Sequence, residues 1–138
     1  GSWYYEQQIL GFNYRLTDIQ AALGISQLKR LDSFVEKRRA IAKQYCDQLN
    51  DDILPYQHPD TNSSWHLFVI QTKNRKEIYQ NLREQDIMAQ VHYIPVNHQP
   101  FHNAKILINS DVFYQYCLSL PIYVDLTVDE QKKVISFL

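Results

Sequence analysis

The stretch 17–50 has the residue spacing of one long amphipathic helix, and this feature most constrains the fold. Thr17 is a favourable N-cap residue and Gln20 follows three positions later, which is the pattern of a capping box. Apolar side chains then recur at helical spacing: Ile19, Leu23, Leu31, Phe34, Ile41, Tyr45 and Leu49. A helix of roughly 30 residues is long for a small domain. We therefore expect it to brace two domains or two subunits.

The remainder of the chain predicts short strands and helices. After a polar connector at 51–64, strands are expected at 65–70 and 89–93, with a helix at 75–85 between them. A loop at 96–107 precedes two further helices. Ser110 starts the first, which runs to Leu118, and Thr127 caps the second with Glu130 at the capping-box position. The sequence therefore predicts one α+β domain over 1–138, with a small, mainly antiparallel sheet and helices packed on one side.

Charge and hydropathy exclude two classes of partner. Fourteen Lys and Arg residues nearly balance fifteen Asp and Glu residues, so the net charge of -1 leaves no basic surface for nucleic acid. No apolar run is long enough to cross a bilayer, and the N-terminus has no signal-peptide pattern. Cys46 and Cys117 lie in helix-like stretches and are expected to be free thiols of a cytoplasmic protein, which we favour over a disulfide between them.

The segment just ahead of the long helix has the chemistry of an anion site. Asn13 offers an amide donor, Tyr14 a ring or hydroxyl, and Arg15 a guanidinium that fits phosphate oxygens. The free N–H groups and the dipole of a helix N-terminus also attract anions. The alternative is a capped helix whose arginine pairs with a nearby carboxylate. Chemistry alone favours that alternative, because the pattern has no fixed catalytic spacing.

The five histidines suggest a binding loop rather than a metal centre. His98 and His102 are four residues apart, but Pro100 lies between them and no Cys, Asp or Glu follows at ligand spacing, so we expect no metal. His66 and His92 lie on the two predicted strands and could share one surface, although a structural role is the commoner one for each. The stretch 92–101 is dense in donors and rings, which suits a sugar or nucleotide pocket.

Several spaced segments together resemble the DegT-type sugar aminotransferases, which are fold-type-I pyridoxal-phosphate enzymes. The most specific is the first block, which comprises WYYE at 3–6, GFNYRLTDIQAALG at 11–24 and QL at 27–28. Similar stretches follow in the family's order: WHLFVI at 65–70, VHYIPV at 91–96 and LSLPI at 118–122. The resemblance covers nearly the whole chain. It implies the small C-terminal domain of such an enzyme, with 1–16 as an interdomain and dimer-interface segment and 17–50 as a long helix.

The resemblance also implies roles for individual residues. Asn13 would reach across a homodimer to the phosphate of pyridoxal phosphate held by the other subunit, with Tyr14 and Arg15 near cofactor or substrate. His92 and Tyr93, and with them His66, would lie on the sugar-nucleotide side. Within the family, the WYYE and HYIP runs look most like the members of pseudaminic acid synthesis. These members aminate C4 of a UDP-linked 4-keto-6-deoxy-N-acetylhexosamine, with glutamate as donor.

The resemblance also implies that the family's main catalytic residues lie upstream of Trp3. The family's Schiff-base lysine, its pyridine-nitrogen aspartate and its ring-stacking aromatic precede this region. We therefore expect no catalytic residue in this chain, no transaminase activity from it alone, and little or no binding of pyridoxal phosphate. The competing hypothesis is a non-catalytic interaction module that oligomerises through its long helix.

Overall fold

The structure is a computed structural model that describes residues 12, 14–98 and 106–138. The chain divides into two compact units, Gly1–Leu31 and Asp32–Leu138. The described elements in chain order are α1 (Asp18–Leu28), α2 (Leu31–Gln48), β1 (Phe68–Gln71), α3 (Arg75–Glu84), α4 (Ile108–Tyr116), β2 (Cys117–Leu120) and α5 (Val128–Ile135). Short 3-10 turns occur at Asp51–Ile53 and Val96–His98.

Helix α1 begins with the predicted capping box. The Thr17 side chain accepts from the Gln20 amide at 3.3 Å, and the Gln20 side chain accepts from the Thr17 amide at 2.9 Å. Two of the helix's N-terminal amides are thereby satisfied. None of the residues of α1 is buried. Apolar side chains of this segment are instead exposed, including Leu16, Ile19, Leu23 and Leu28.

The predicted single helix over 17–50 is interrupted at Lys29 and Arg30. There the Arg30 amide bonds to the carbonyl of Gln27, three residues back, instead of the carbonyl four residues back. This tighter bond ends α1 in a turn, and α2 starts at Leu31. The prediction of one unbroken helix is therefore wrong at this point, although both halves are helical.

The sheet has two antiparallel strands, β1 and β2. Phe68 pairs with Leu120 and Gln71 with Cys117. Gln90 adds an isolated bridge on the other edge of β2, where its backbone exchanges two hydrogen bonds with Ser119. The five helices and small antiparallel sheet of the described ranges confirm the predicted α+β class.

Three strand and helix predictions differ from the structure. The first strand starts at Phe68 rather than at position 65, because Trp65 has a left-handed backbone with φ of 49° that a strand cannot contain. The expected strand at 89–93 is reduced to the Gln90 bridge. The helix predicted to reach Leu118 ends at Tyr116, and Cys117–Leu120 forms β2 with all four residues buried.

The core lies in the second unit and joins α2, α3, α5 and both strands. Its fully buried side chains include Tyr45, Phe68, Ile70, Leu82 and Leu118. Polar groups are satisfied inside it: the buried Gln131 amide donates to the carbonyl of Ile41 at 2.8 Å and so ties α5 to α2.

Cys46 and Cys117 are both free thiols, as predicted, and burial raises the pKa of each. None of the helices in the described ranges has the length and apolar character that a membrane crossing needs.

Candidate functional site

The anion segment lies at the N-terminus of α1, of which the structure describes a part. Tyr14 and Arg15 are exposed, and the rings of Phe12 and Tyr14 stack with centroids 5.4 Å apart. Asn13, to which the resemblance gives the cofactor contact, lies outside the described residues. Asp18 sits in the first turn of α1. Its carboxylate already interacts with the positive end of the helix dipole. Arg15 is therefore the group here whose charge favours an added phosphate.

His92 and Tyr93 form a second group, beside β2. The Nδ1 atom of His92 lies 2.9 Å from Oγ of Ser119, a buried residue of β2. The His92 and Tyr93 rings are in contact, with centroids 4.6 Å apart. Tyr93 is 67% exposed, so its ring remains accessible to a ligand. Ser119 thus fixes the imidazole through one nitrogen and leaves Nε2 for another partner.

His66 and His92 belong to segments that lie along different edges of β2. His66 precedes β1, which pairs with one edge of β2, whereas the segment carrying His92 meets the other edge through Gln90. The His66 side chain is exposed, and its backbone carbonyl accepts a hydrogen bond from Nη1 of Arg38 at 3.3 Å. The segments that carry the two histidines therefore lie along opposite edges of β2.

A cluster that the sequence did not indicate joins the turn Val96–His98 to α4. Oδ1 of Asp111 lies 2.6 Å from Nε2 of His98 and accepts from Nδ2 of Asn97 at 3.2 Å. The hydrogen bond from Asn97, helped by His98, lowers the pKa of Asp111. The only sequence signal is an acidic residue early in a predicted helix, and this signal does not indicate a partner thirteen residues away.

The lowered pKa of Asp111 gives a pH-dependent prediction for Asp111→Asn. A carboxyl group whose pKa is lower in the folded state stabilises that state above its unfolded pKa, and the stabilisation is lost as the pH falls through the folded value. We therefore expect D111N to unfold at lower urea than the wild type at pH 7. The difference should shrink once the pH falls below 3.8, the ordinary Asp value.

The measurement is the urea midpoint of both proteins between pH 3 and pH 7. Asp125→Asn is the matched control, because it removes the same charge from a side chain that is 89% exposed. Equal midpoint differences for D111N at both ends of the pH range would contradict the role of the Asp111 charge.

Asn97 of this cluster also lines a cavity of about 500 Å³ between the turn and α4. Its wall is mainly aromatic and apolar, with a few amide and hydroxyl groups, and includes Tyr93, Pro95, Asn97, Phe113 and Tyr114. Its volume and mixed wall suit a small ligand with a ring and polar substituents. In the described part of the chain, no three His, Cys, Asp or Glu side chains are placed to hold a metal ion.

The sequence profile of the DegT/DnrJ/EryC1/StrS aminotransferase family matches residues 2–138. The chain belongs to this aminotransferase family. One relative is the spore coat polysaccharide biosynthesis protein SpsC of Bacillus subtilis, 35% identical over 99% of the chain. A UDP-4-amino-4,6-dideoxy-N-acetyl-beta-L-altrosamine transaminase of Campylobacter jejuni is 33% identical over 96% of it. The chain spans 39% of the first protein and 38% of the second.

Solved structures of the family share the fold of this chain. An aminotransferase from Brucella abortus matches 99% of the chain, with a TM-score of 0.87 and 28% identity. Helicobacter pylori PseC, an aminotransferase involved in the biosynthesis of pseudoaminic acid, matches 98% of it with a TM-score of 0.81 and 30% identity. The chain covers 39% and 40% of these two structures.

Proposed function

We propose that the chain is the small-domain part of a pyridoxal-phosphate-dependent aminotransferase that acts on a nucleotide sugar. In its full-length enzyme, the amino group of glutamate is transferred to C4 of a UDP-linked 4-keto-6-deoxy-N-acetylhexosamine, for pseudaminic acid or another surface glycan. The observation that carries this proposal is the similarity to UDP-4-amino-4,6-dideoxy-N-acetyl-beta-L-altrosamine transaminases of two organisms, over 91–96% of the chain.

The residues before α1 fit the phosphate end of the cofactor. When bound, pyridoxal phosphate acts as an electron sink at the carbon that carries the amino group. Asn13, Tyr14 and Arg15 would hold and orient the phosphate of a cofactor seated in the other subunit. The exposure of Tyr14 and Arg15 beside a helix N-terminus supports this role.

The second group of residues would orient the sugar nucleotide. His92, held by Ser119 through Nδ1, has Nε2 for a hydroxyl or carbonyl oxygen of the substrate. Tyr93 lines the cavity of about 500 Å³ and offers both a ring and a hydroxyl. His66 lies on the other flank of β2, so a contact from it would be made to a separate part of the ligand.

We further propose that the chain alone is inactive. A lysine that forms an imine needs a dry pocket that lowers the pKa of its ammonium group. Every lysine in the described ranges is exposed, which supports a nucleophile located elsewhere in the full-length enzyme. A cytoplasmic location would agree with the predicted substrates.

Self-association through α1 is the remaining part of the proposal. Leu16, Ile19 and Leu23 follow helical spacing and are 78%, 83% and 59% exposed. An apolar stripe of this kind marks an interaction surface. We expect a homodimer. The same stripe also fits the alternative, a non-catalytic module that oligomerises through its helix. Activity of the full-length enzyme distinguishes the enzyme proposal from this alternative.

The deciding experiment assays the full-length enzyme with the UDP-linked 4-keto sugar and glutamate. We expect the 4-amino sugar as product, and no product from the 138-residue chain tested in parallel. A full-length protein that neither binds nor aminates UDP-sugars would overturn the enzyme proposal in favour of the interaction module. An absorbance band of lysine-bound cofactor in the isolated chain would contradict its proposed inactivity.

A further inference from the structure

A second cavity lies in the long connection between α2 and β1. Residues 54–67 have no regular secondary structure, yet they are ordered by their own hydrogen bonds. The Gln57 amide donates to Oγ1 of Thr61 at 3.0 Å, and that hydroxyl donates to the carbonyl of His58 at 2.7 Å. Ordered connections of this length in a compact domain usually carry a function. This one borders an open, shallow cavity of about 380 Å³.

The wall of this cavity combines aromatic rings with neutral polar groups. Tyr56 and Trp65 supply the rings, while Gln57, Thr61 and Asn62 supply amides and a hydroxyl. No Lys, Arg, Asp or Glu of the described chain lines it. Among the described residues of this wall, His58 is the one side chain that can become charged near neutral pH, and its Nδ1 lies 3.7 Å from Oδ2 of Asp60. The other wall groups carry no charge, which favours a neutral ligand. A ligand ring with an apolar face could stack on the aromatic side chains, and hydroxyl groups at its edge could hydrogen-bond to the polar ones.

Trp65 is held in place by contacts on both sides of its backbone. Its φ of 49° is unusual for a bulky side chain. Its amide donates to Oγ of Ser63 at 3.0 Å, and Nη1 of Arg38 donates to its carbonyl at 3.3 Å. Its ring packs on the core residue Phe68 with centroids 5.4 Å apart. Strained residues fixed by their surroundings in this way cluster at ligand sites.

We propose that this cavity binds a neutral sugar ring, with Tyr56 and Trp65 as the apolar platform and Gln57, Thr61 and Asn62 as hydrogen-bonding partners. Tyr56 is 86% exposed, so its ring can close over a ligand without loss of core packing. None of these residues lines the cavity that contains Tyr93. The site is therefore additional to the proposed substrate site.

The test is a titration of the isotope-labelled 138-residue chain with N-acetylglucosamine, followed by backbone and indole resonances. We expect saturable shifts at residues 56–65, including the Trp65 indole, with a dissociation constant on the order of 1 mM for a ring of about 15 non-hydrogen atoms. A parallel titration with UDP should leave these resonances unchanged. UDP shifts at 92–98 report on the proposed substrate site, so the two proposals fail separately.

Two variants decide whether the shifts come from this cavity. Tyr56→Ala should weaken binding about tenfold, because it removes the exposed ring. Tyr56→Phe keeps the ring and is expected to bind within about threefold of the wild type. The proposal is overturned if residues 56–65 do not respond to N-acetylglucosamine, if UDP shifts them equally, or if Y56A binds as tightly as the wild type.

Discussion

Replacement of Tyr45 by alanine is expected to lower the free energy of unfolding by about 3–5 kcal/mol, which is most of the stability of a small domain. Tyr45 has no exposed surface and its ring lies 4.9 Å from that of Phe68, so truncation leaves a cavity between α2 and β1. Its hydroxyl also donates to the carbonyl of Pro121 at 2.9 Å, just after β2. The change therefore removes packing and a partly buried hydrogen bond together, and urea denaturation measures the sum.

Tyr45→Phe separates the two contributions. It keeps the ring but leaves the Pro121 carbonyl without the hydroxyl donor, a loss of about 1–3 kcal/mol. Tyr56→Ala is the matched control, because the same substitution at a side chain that is 86% exposed should change stability by about 0.5 kcal/mol or less. If Y45A and Y56A unfold at the same urea concentration, the core is not arranged around Tyr45 as described.

Local signals at helix starts were predictable because they depend on residues three positions apart. Thr17 with Gln20, and Thr127 with Glu130, form the reciprocal bonds that their spacing predicts. Asn74 shows the limit of such reasoning. The helix after it begins at Arg75 as predicted, but the Asn74 side chain makes no capping bond. The start of α3 therefore depends on packing of Ile78 and Leu82 in the core rather than on its cap.

The elements that sequence reasoning missed depend on distant partners. Cys117–Leu120 continues an apolar run from a helix, and it becomes a strand because β1 lies on one edge and Gln90 on the other. The turn at Lys29 and Arg30 contains no glycine or proline, so no local signal indicated it. In the same way, contacts between Asp111 and residues 97–98 form only when α4 folds against the preceding turn. The spacing of apolar residues in a single sequence does not indicate which distant segments pair with one another.

The roles of the candidate-site residues stay predictions, and the structure adds only where these residues lie. The resemblance named Tyr14, Arg15, His92 and Tyr93, and the structure leaves Tyr14, Arg15 and Tyr93 accessible. The pairing of His66 with His92 was inferred from two expected strands, one of which is reduced to a single bridge on the far edge of β2. A surface shared by the two imidazoles stays a prediction, because strand order cannot be read from the alternation of apolar residues.

Arg15→Ala in the full-length enzyme is expected to weaken binding of pyridoxal phosphate by about 10- to 100-fold. A charge-assisted hydrogen bond to phosphate contributes about 1.5–3 kcal/mol, which corresponds to that range. The expectation rests on the proposed role of the residues before α1, where the Arg15 guanidinium supplies the positive charge because Asp18 already interacts with the positive end of the helix dipole. Equilibrium dialysis of the cofactor against the enzyme measures the effect directly, without dependence on turnover.

Two controls make this result specific to the N-terminal end of α1. Arg30→Ala removes the same charge just after the C-terminal end of the helix and should leave cofactor affinity within about twofold, because α1 separates Arg30 from a phosphate held by Arg15 at the other end. Arg15→Lys keeps the charge but loses the bidentate geometry of the guanidinium. An intermediate cofactor affinity is therefore expected if Arg15 hydrogen-bonds to two phosphate oxygens. Equal losses of cofactor affinity in R15A and R30A would mean that the effect comes from the change in net charge and not from a contact of Arg15. An R15A enzyme that binds cofactor normally would remove Arg15 from the phosphate site and leave Asn13 and Tyr14 as its candidates.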